Sequence, residues 1–152
     1  MKSSPSDRIQ KTVLLNTPRT RAWRALTDFG EFGQWFRVKL DNRFAPGQVT
    51  TGHVTYAGFE HIPFQVLVER MDAEHYFAFR WHPAAIDPAV DYSEEPTTLV
   101  EFRLEPVTQG TRLTVTESGF DQLPAERRNA AYRMNDGGWT TQCENIRKYV
   151  DS

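Results

Sequence analysis

The last quarter of the chain constrains the fold most strongly. Residues 125–150 contain no proline and consist mostly of residues that favour helices. Apolar residues recur there mainly at steps of three and four, the spacing of one helix face. They are Ala131, Met134, Gly138, Trp139, Cys143, Ile146 and Val150. Such a helix spans on the order of 40 Å. Because no other segment predicts a comparable helix, the surface that covers its apolar face must be a sheet.

Two glycines interrupt this helix near its middle. Gly137 and Gly138 each cost about 1 kcal/mol relative to alanine in a helix. The pair suits a helix whose backbone passes close to the sheet, bends, or leaves room for something beneath it. A tolerated weak point is the other interpretation. If Gly138 permits a close approach, a larger residue there should destabilise the protein by overpacking.

A carboxylate falls on the core side of the strand that precedes the helix. Alternation in residues 112–117 predicts this strand, and Leu113, Val115 and Glu117 share one of its faces. Burial disfavours the charged form of a carboxyl group unless a cation or hydrogen-bond donors stabilise it. An acid or base in an apolar pocket is a recurring catalytic device, which makes Glu117 the candidate catalytic residue. A structural carboxylate that pairs with an arginine or caps a backbone amide is the alternative.

Composition excludes several classes of function. The 152 residues carry a formal net charge of −2 with both signs interspersed, so we expect no nucleic-acid partner. The apolar runs are too short for a membrane span, and the polar start of the chain lacks the apolar region of an export signal. Cys143 is the only cysteine, and its place on the helix stripe predicts a buried thiol. We therefore expect a cytoplasmic protein, monomeric or weakly dimeric.

The remaining sequence is typical of short antiparallel strands. Breaks rich in glycine, proline and aspartate separate segments of alternating apolar side chains. In one of them, Phe77, Phe79 and Trp81 alternate with Ala78 and Arg80, as a sheet covered on one side requires. The predicted strands are residues 9–15, 38–44, 49–56, 62–71, 76–82, 98–105 and 111–118.

Two short helices are predicted after the first strand. Thr17 is the expected N-cap and Pro18 the first helical residue of a helix that ends near Leu26. Residues 28–36 contain two glycines and four aromatic residues. We interpret them as a short helix or turn whose aromatic side chains close one end of the core.

Several local motifs accompany this order of elements. They are TPRTRAWRALTD at residues 17–28, GQWF at 33–36, FRW at 79–81, TRLTVTESGF at 111–120 and GGW at 137–139. With them, the chain resembles the START-like, or helix-grip, superfamily, also called SRPBCC. Within it, the chain is similar to the branch named for the activator of heat-shock-protein-90 ATPase. The resemblance implies one domain over residues 1–152 and an α+β fold. A curved antiparallel sheet of six to seven strands would wrap the long C-terminal helix, with a cavity between them.

Aromatic residues are numerous enough to line such a cavity. Tyr56 and the indole groups could offer hydrogen-bond donors to a ligand that is otherwise apolar. For each residue taken singly, ordinary core packing is the other interpretation. The predicted ligand-binding residues are Trp35, Phe36, His53, Tyr56, Phe64, Phe79, Trp81, Glu117, Met134, Asn135, Gly138 and Trp139.

Metal and cofactor sites are not predicted. No two of the four histidines, His53, His61, His75 and His82, have the spacing of a zinc-protease helix. His53 could face the cavity opposite Glu117, with an exposed or strand-edge position as the alternative. His75 and His82 are predicted to face solvent. The chain also lacks a glycine fingerprint for nucleotides and a set of cysteines for an iron–sulfur cluster.

Residues 83–96, the cavity loop hereafter, hold three prolines and four acidic residues. Acidic residues in a loop are ordinarily solvated, and prolines stiffen it. Because long ordered loops are frequently functional, the cavity loop is alternatively interpreted as a lid over the cavity or as a surface for a partner.

Three functions from different classes stay open. The first is a small-molecule binding module for a lipid-like, polyketide-like or aromatic ligand, which we favour. The second is an enzyme of the polyketide cyclase or hydrolase type that uses Glu117, with Tyr56 or His53 as a partner. The third is a stress-related interaction domain like a co-chaperone, which would have a large exposed patch and no sizeable cavity. The absence of a nucleophile–base pair counts against the second.

Overall fold

The fold consists of a seven-stranded sheet, two short helices and one long helix. The computed structural model describes residues 7–87 and 89–151, so most of the polar start of the chain and Pro88 of the cavity loop lie outside it. The elements are β1 (Arg8–Leu15), α1 (Arg19–Thr27), α2 (Phe29–Phe36), β2 (Val38–Leu40), β3 (Val49–Val54), β4 (Pro63–Asp72), β5 (Tyr76–Trp81), β6 (Thr98–Val107), β7 (Gly110–Ser118), a 3-10 turn (Phe120–Gln122) and α3 (Ala125–Asp151).

The seven strands form one antiparallel sheet in the order β1-β7-β6-β5-β4-β3-β2. Strands that follow one another along the chain are neighbours from β2 to β7, and β1 pairs with β7 at the far edge. The register between β4 and β5 shifts between Val68 and Arg70, a bulge that bends the sheet. The predicted helix-grip fold is confirmed, with seven strands.

The long helix α3 lies across the sheet and packs most closely against β1 and α2. Its buried residues are Ala131, Trp139, Cys143, Ile146 and Val150. Two members of the predicted stripe are not buried, since Met134 is 47% exposed and Gly138 is also exposed. The helix therefore leaves the core near its middle, where the apolar face turns towards open space.

The glycine pair does not serve a close approach to the sheet. A Cβ atom added at Gly137 or at Gly138 would meet no heavy atom within 4 Å. The interpretation of Gly137 and Gly138 as a point of close approach to the sheet is therefore wrong. One glycine that does permit a close approach is Gly33 in α2, where an added Cβ would collide with the carbonyl oxygen of Val38. This contact brings α2 against the start of β2 and so positions the aromatic side chains of α2.

The two short helices form as expected, with one difference in α1. Arg21 and Ala22 donate their backbone N–H groups to the carbonyl of Pro18, which is therefore the N-cap in place of Thr17. The helix starts one residue later than predicted. In α2, Asp28 is the N-cap, and its carboxylate accepts from the N–H of Glu31.

Strands β2 and β3 are shorter than predicted. The side chain of Asn42 donates to the carbonyl of Val49 and accepts from the N–H of Thr51, so side-chain bonds replace the regular ladder beyond Leu40. At its other end β3 stops at Val54. Residues 55–62 consequently form a turn, which projects outwards at the end of the sheet nearest the middle of α3.

Candidate functional site

The main cavity lies where the ends of β3, β4 and β5 meet the middle of α3. Its volume is about 760 Å³. The turn at residues 55–62 and the cavity loop complete its wall. The lining residues are Phe36, Arg37, Val38, Val54, Tyr56, Phe59, Ile62, Pro63, Phe64, Gln65, Trp81, His82, Ala84, Ala85, Ile86, Asp91, Tyr92, Ser93, Met134, Asn135 and Gln142.

A smaller recess of about 150 Å³ adjoins the main cavity and reaches Trp139. It shares most of its lining with the main cavity, and Gly138 and Trp139 are the two residues that it adds. Because Gly138 has no side chain, the helix leaves this space open. The glycine pair therefore fits the predicted alternative that it leaves room for something beneath the helix.

The mouth of the main cavity is rich in exposed apolar side chains. Tyr56, Phe59, Ile86 and Met134 are between 41% and 54% exposed, although each is large and mainly apolar. Single exposed apolar residues are ordinary, but a group around one concave surface is typical of a binding site. A ligand that covers them would remove this apolar surface from water.

Aromatic rings form the inner wall. The rings of Trp81 and Trp139 are nearly parallel, with centroids 5.9 Å apart and an interplanar angle of 30°. Phe36 meets both edge-on, at 6.2 Å from Trp81 and 6.0 Å from Trp139. Phe64 contacts Trp81 at 6.1 Å. Elements distant in sequence thus bring four aromatic side chains together.

Glu117 lies behind this wall, fully buried at the end of β7. Its Oε1 accepts hydrogen bonds from Trp139 Nε1 at 2.7 Å and from Asn135 Nδ2 at 2.9 Å. Its Oε2 accepts from Trp81 Nε1 at 2.8 Å, Thr98 Oγ1 at 2.5 Å and Asn135 Nδ2 at 3.1 Å. One carboxylate therefore links β5, β6, β7 and α3.

The donors around Glu117 carry no charge. Among residues 7–87 and 89–151 it forms no ion pair, so the arginine partner considered above is wrong. Two indoles, an amide and a hydroxyl supply the hydrogen bonds that a buried carboxylate requires. The inward direction of Glu117 is as predicted. Because both indole N–H groups donate to Glu117, Trp81 and Trp139 do not offer these donors to a ligand, which contradicts the expectation that they would.

Arg127 of α3 holds the cavity loop in place. Its Nε donates to Glu95 Oε1 at 2.8 Å, and its Nη2 donates to the carbonyl of Pro83 at 3.0 Å. Its guanidinium carbon also lies 4.7 Å from the centroid of the Tyr92 ring. His82 Nε2 lies 3.1 Å from the carbonyl oxygen of Glu95. One cation therefore fastens both ends of a loop whose middle lines the cavity.

Two charges of opposite sign lie at the mouth. The guanidinium of Arg37 lies over the ring of Tyr56, 5.6 Å from its centroid. In the cavity loop, the backbone N–H of Ser93 donates to Asp91 and lowers the pKa of that carboxyl group, with a further contribution from His82. The mouth therefore combines exposed apolar side chains with two charged groups, while the inner wall is aromatic.

Several residues predicted for the site do line it. Phe36, Tyr56, Phe64, Trp81, Met134 and Asn135 line the main cavity, and Gly138 and Trp139 line the recess. Trp35 does not, because its Nε1 donates to the carbonyl of Ala25 inside the core. Phe79 is fully buried among other core rings, and Glu117 lies behind the wall. His53 is exposed on β3, as the alternative for that residue proposed.

Other lining residues were missed at the level of sequence. His82 was expected to face solvent by the alternation of β5, but the strand ends at Trp81 and the chain then turns towards the cavity. Gln142 of α3 was not predicted for the site, yet it lines the cavity and its Nε2 donates to the carbonyl of Phe36 at 3.0 Å. Three apolar residues of the cavity loop also line the cavity, namely Ala84, Ala85 and Ile86. Nothing in their own sequence pattern indicated this role, apart from their position in that loop.

Two groups outside the cavity have strongly shifted pKa values. Burial raises the pKa of the Cys143 thiol to about 11. Burial and the hydrogen bond to Glu101 raise the pKa of Tyr76 to about 12. Neither residue lines the cavity. Within the described part of the chain, no three His, Cys, Asp or Glu side chains come together in a way that could hold a metal ion.

Comparison with known proteins agrees with this architecture. A family model described as "Activator of Hsp90 ATPase homolog 1-like protein" matches residues 16–151. The chain belongs to this family. The match begins just after β1 and includes every residue that lines the cavity and the recess. The comparison with curated proteins gives no match.

Solved structures similar to this member of the activator of Hsp90 ATPase homolog 1-like family share its fold. Protein MLL2253 from Mesorhizobium loti is 24% identical with a TM-score of 0.74, over 95% of this chain and 96% of that one. Protein NE0264 from Nitrosomonas europaea is 17% identical with a TM-score of 0.76, over 99% and 98%. DynU16, from the dynemicin biosynthetic locus, is 22% identical with a TM-score of 0.75, over 97% of this chain and 48% of that one.

The family assignment and these structures establish the helix-grip fold and leave the ligand to be argued from the site. At identities below 25%, likeness in fold does not carry an activity from one member of the activator of Hsp90 ATPase homolog 1-like family to another. Among the described residues, no helix combines the length and apolar character needed to cross a membrane.

Proposed function

We propose that the protein binds an apolar or aromatic small molecule, of the lipid-like or polyketide-like kind, in the main cavity. The observation that carries this proposal is a cavity of about 760 Å³ with an aromatic inner wall and a mouth rich in apolar side chains. This volume falls within the roughly 300–1,000 Å³ typical of sites for small ligands. The presence of DynU16, from a biosynthetic locus, among the similar structures supports a ligand of the polyketide class.

The expected affinity follows from the area that a ligand would bury. Burial of apolar surface contributes about 25 cal/mol per Å². A ligand that buries about 400 Å² of such surface would gain about 10 kcal/mol before the costs of ordering and desolvation. Those costs remove several kcal/mol, which leaves a dissociation constant in the micromolar range.

The two alternative functions have less support. A cyclase or hydrolase that uses Glu117 needs a second polar group beside it, but neither His53 nor Tyr56 is among its hydrogen-bond partners in the described residues. Its carboxylate is also separated from the cavity by the side chains that it holds. An interaction domain of the co-chaperone kind was expected to lack a sizeable cavity, and a volume of about 760 Å³ disfavours it.

A matched pair of substitutions on one strand tests the proposal. Val54 on β3 lines the main cavity, whereas Val49 on the same strand is 46% exposed and does not line it. Val54→Phe narrows the cavity and should weaken binding of dodecanoate and of 2-naphthol at least fivefold. Val49→Phe adds the same side chain on the surface and should leave both affinities unchanged. Isothermal titration calorimetry measures both, and circular dichroism checks that each variant is folded.

The outcome that refutes the proposal is equally clear. If neither probe binds the unsubstituted protein at millimolar concentration, the cavity is not a binding site for this class of ligand. If both probes bind but Val54→Phe and Val49→Phe change the affinities equally, the ligand binds elsewhere.

A further inference from the structure

The polar atoms of the inner wall are already committed to particular partners. Trp81 and Trp139 direct their only polar groups, the indole N–H donors, at Glu117. Gln142 uses both ends of its amide, since Nε2 donates to the carbonyl of Phe36 and Oε1 accepts from Asn145 Nδ2. Asn135 is the remaining polar residue shared by the main cavity and the recess.

Glu117 determines which end of the Asn135 amide faces the cavity. A carboxylate only accepts hydrogen bonds, so the Nδ2 group of Asn135 must point towards it, at 2.9 and 3.1 Å from the two oxygens. The carbonyl oxygen, Oδ1, then points the other way. No described residue donates to this oxygen, and it is not among the buried polar atoms that lack a partner. Oδ1 is therefore accessible, on a residue that lines both spaces.

One ring nitrogen of His82 is committed in the same way. Its Nε2 lies 3.1 Å from the carbonyl oxygen of Glu95, which can only accept, so Nε2 donates. The guanidinium of Arg37, a strong donor, lies at the mouth. The inner end of the site thus offers the acceptor Oδ1 of Asn135 beside aromatic rings.

We propose that Asn135 selects ligands that carry a hydroxyl group on an apolar ring system, and that Glu117 is the positioning residue that keeps its amide in the accepting orientation. This inference rests on the proposed function and names the ligand class within it. A ligand hydroxyl donates to Asn135 Oδ1 while its rings lie against Trp81 and Trp139. A ligand with only an ether or a ketone at that point leaves Oδ1 without a donor when water is displaced.

The test compares two probes that share the naphthalene ring system and of which only one has this donor. 2-Naphthol carries a hydroxyl, and 2-methoxynaphthalene carries a methyl ether that cannot donate. The ratio of their dissociation constants is measured by isothermal titration calorimetry for the full chain and for each variant. Because differences in probe hydrophobicity are common to all variants, a change in the ratio isolates the hydrogen bond.

Three variants complete the comparison. Asn135→Leu removes the acceptor and should reduce the preference for naphthol about fivefold, the usual effect of one hydrogen bond. Asn129→Leu makes the same change at an exposed position of α3 that lines neither the cavity nor the recess, and it should leave the ratio unchanged. Glu117→Gln offers its own amide to Asn135 and permits the Asn135 amide to turn. It should therefore lose the preference for naphthol while it still binds methoxynaphthalene, which a merely structural role would not produce.

Each outcome decides the inference. If Asn135→Leu keeps the ratio of the unsubstituted protein, Asn135 does not select the hydroxyl, and the binding function itself stands. If naphthol, methoxynaphthalene and dodecanoate all fail to bind, both proposals fall together. Should Asn135→Leu not fold, the ¹³C shift of the Asn135 side-chain carbonyl in the unsubstituted protein replaces it. That shift must move with naphthol and not with methoxynaphthalene, and equal movement overturns the inference.

Discussion

The buried carboxylate of Glu117 allows a demanding prediction about stability. Glu117→Leu replaces a charged group by an apolar one in a fully buried position, a change that hydrophobicity alone would favour. The hydrogen bonds predict the opposite. The indole N–H groups of Trp81 and Trp139 both donate to Glu117, and each has only this one donor atom. Leucine leaves both without an acceptor.

The magnitude follows from those two donors. A buried donor without a partner costs about 1–3 kcal/mol, so Glu117→Leu should lower the free energy of unfolding by about 2–6 kcal/mol. Glu117→Gln retains one carbonyl oxygen, but its NH2 group faces at least one donor, which is left without an acceptor. This substitution should therefore lower the free energy of unfolding by about 1–3 kcal/mol. For a chain of this length, about 1 kcal/mol corresponds to roughly 2–4 °C in melting temperature.

Urea denaturation followed by tryptophan fluorescence measures the effect, with Glu105→Leu as the matched control. Glu105 lies on β6, is largely exposed and is 3.8 Å from Arg112. Its replacement should change the free energy of unfolding by no more than about 0.5 kcal/mol. If Glu117→Leu is as stable as the unsubstituted protein, the two indole donors find other acceptors and the account of the inner wall given above is wrong.

Four further predictions concern α3. Gly137→Ala should raise the free energy of unfolding, measured by urea denaturation, by up to about 1 kcal/mol without loss of binding. Gly138→Leu should weaken naphthol binding, because the leucine side chain fills the recess, and should not destabilise the fold. Because burial raises the pKa of Cys143 to about 11, its contribution to stability is fully present below pH 9. Unfolding in urea at several pH values should show that contribution lost between pH 9 and 11, relative to Cys143→Val. Arg127→Met should release residues 83–96, and limited proteolysis should cut that loop at least several times faster than in the unsubstituted protein.

Much of this architecture follows from local periodicity in the sequence. The alternation of Leu113, Val115 and Glu117 places the carboxylate inside, and the helical spacing of Trp139, Cys143 and Ile146 identifies the buried face of α3. Such patterns report which side of an element is covered. They carry this information because burial depends on the position of a residue within its own strand or helix.

The contacts of the site do not follow from periodicity, because they join elements far apart in sequence. Nothing local indicates that the indole of Trp81 donates to Glu117, or that Arg127 reaches Glu95 and the carbonyl of Pro83. The same holds for Gly138, whose position on the stripe suggested packing against the sheet. At that point the sheet ends and the cavity begins. The sequence of α3 alone does not indicate how far along the helix the sheet covers it.

The pairing of β1 with β7 has a consequence for how the protein folds. Arg8 pairs with Ser118 and Leu15 with Thr111, so β1 pairs with a strand that lies on the order of 100 residues later in the chain. Closing so long a loop has an entropic cost that local contacts do not offset, and non-local pairings of this kind slow folding. During synthesis, β1 must wait unpaired until β7 has left the ribosome, and α3, which packs against β1, is made after β7. We therefore expect the sheet from β2 to β6 to assemble early, and the network around Glu117 to be among the last parts of the molecule to form.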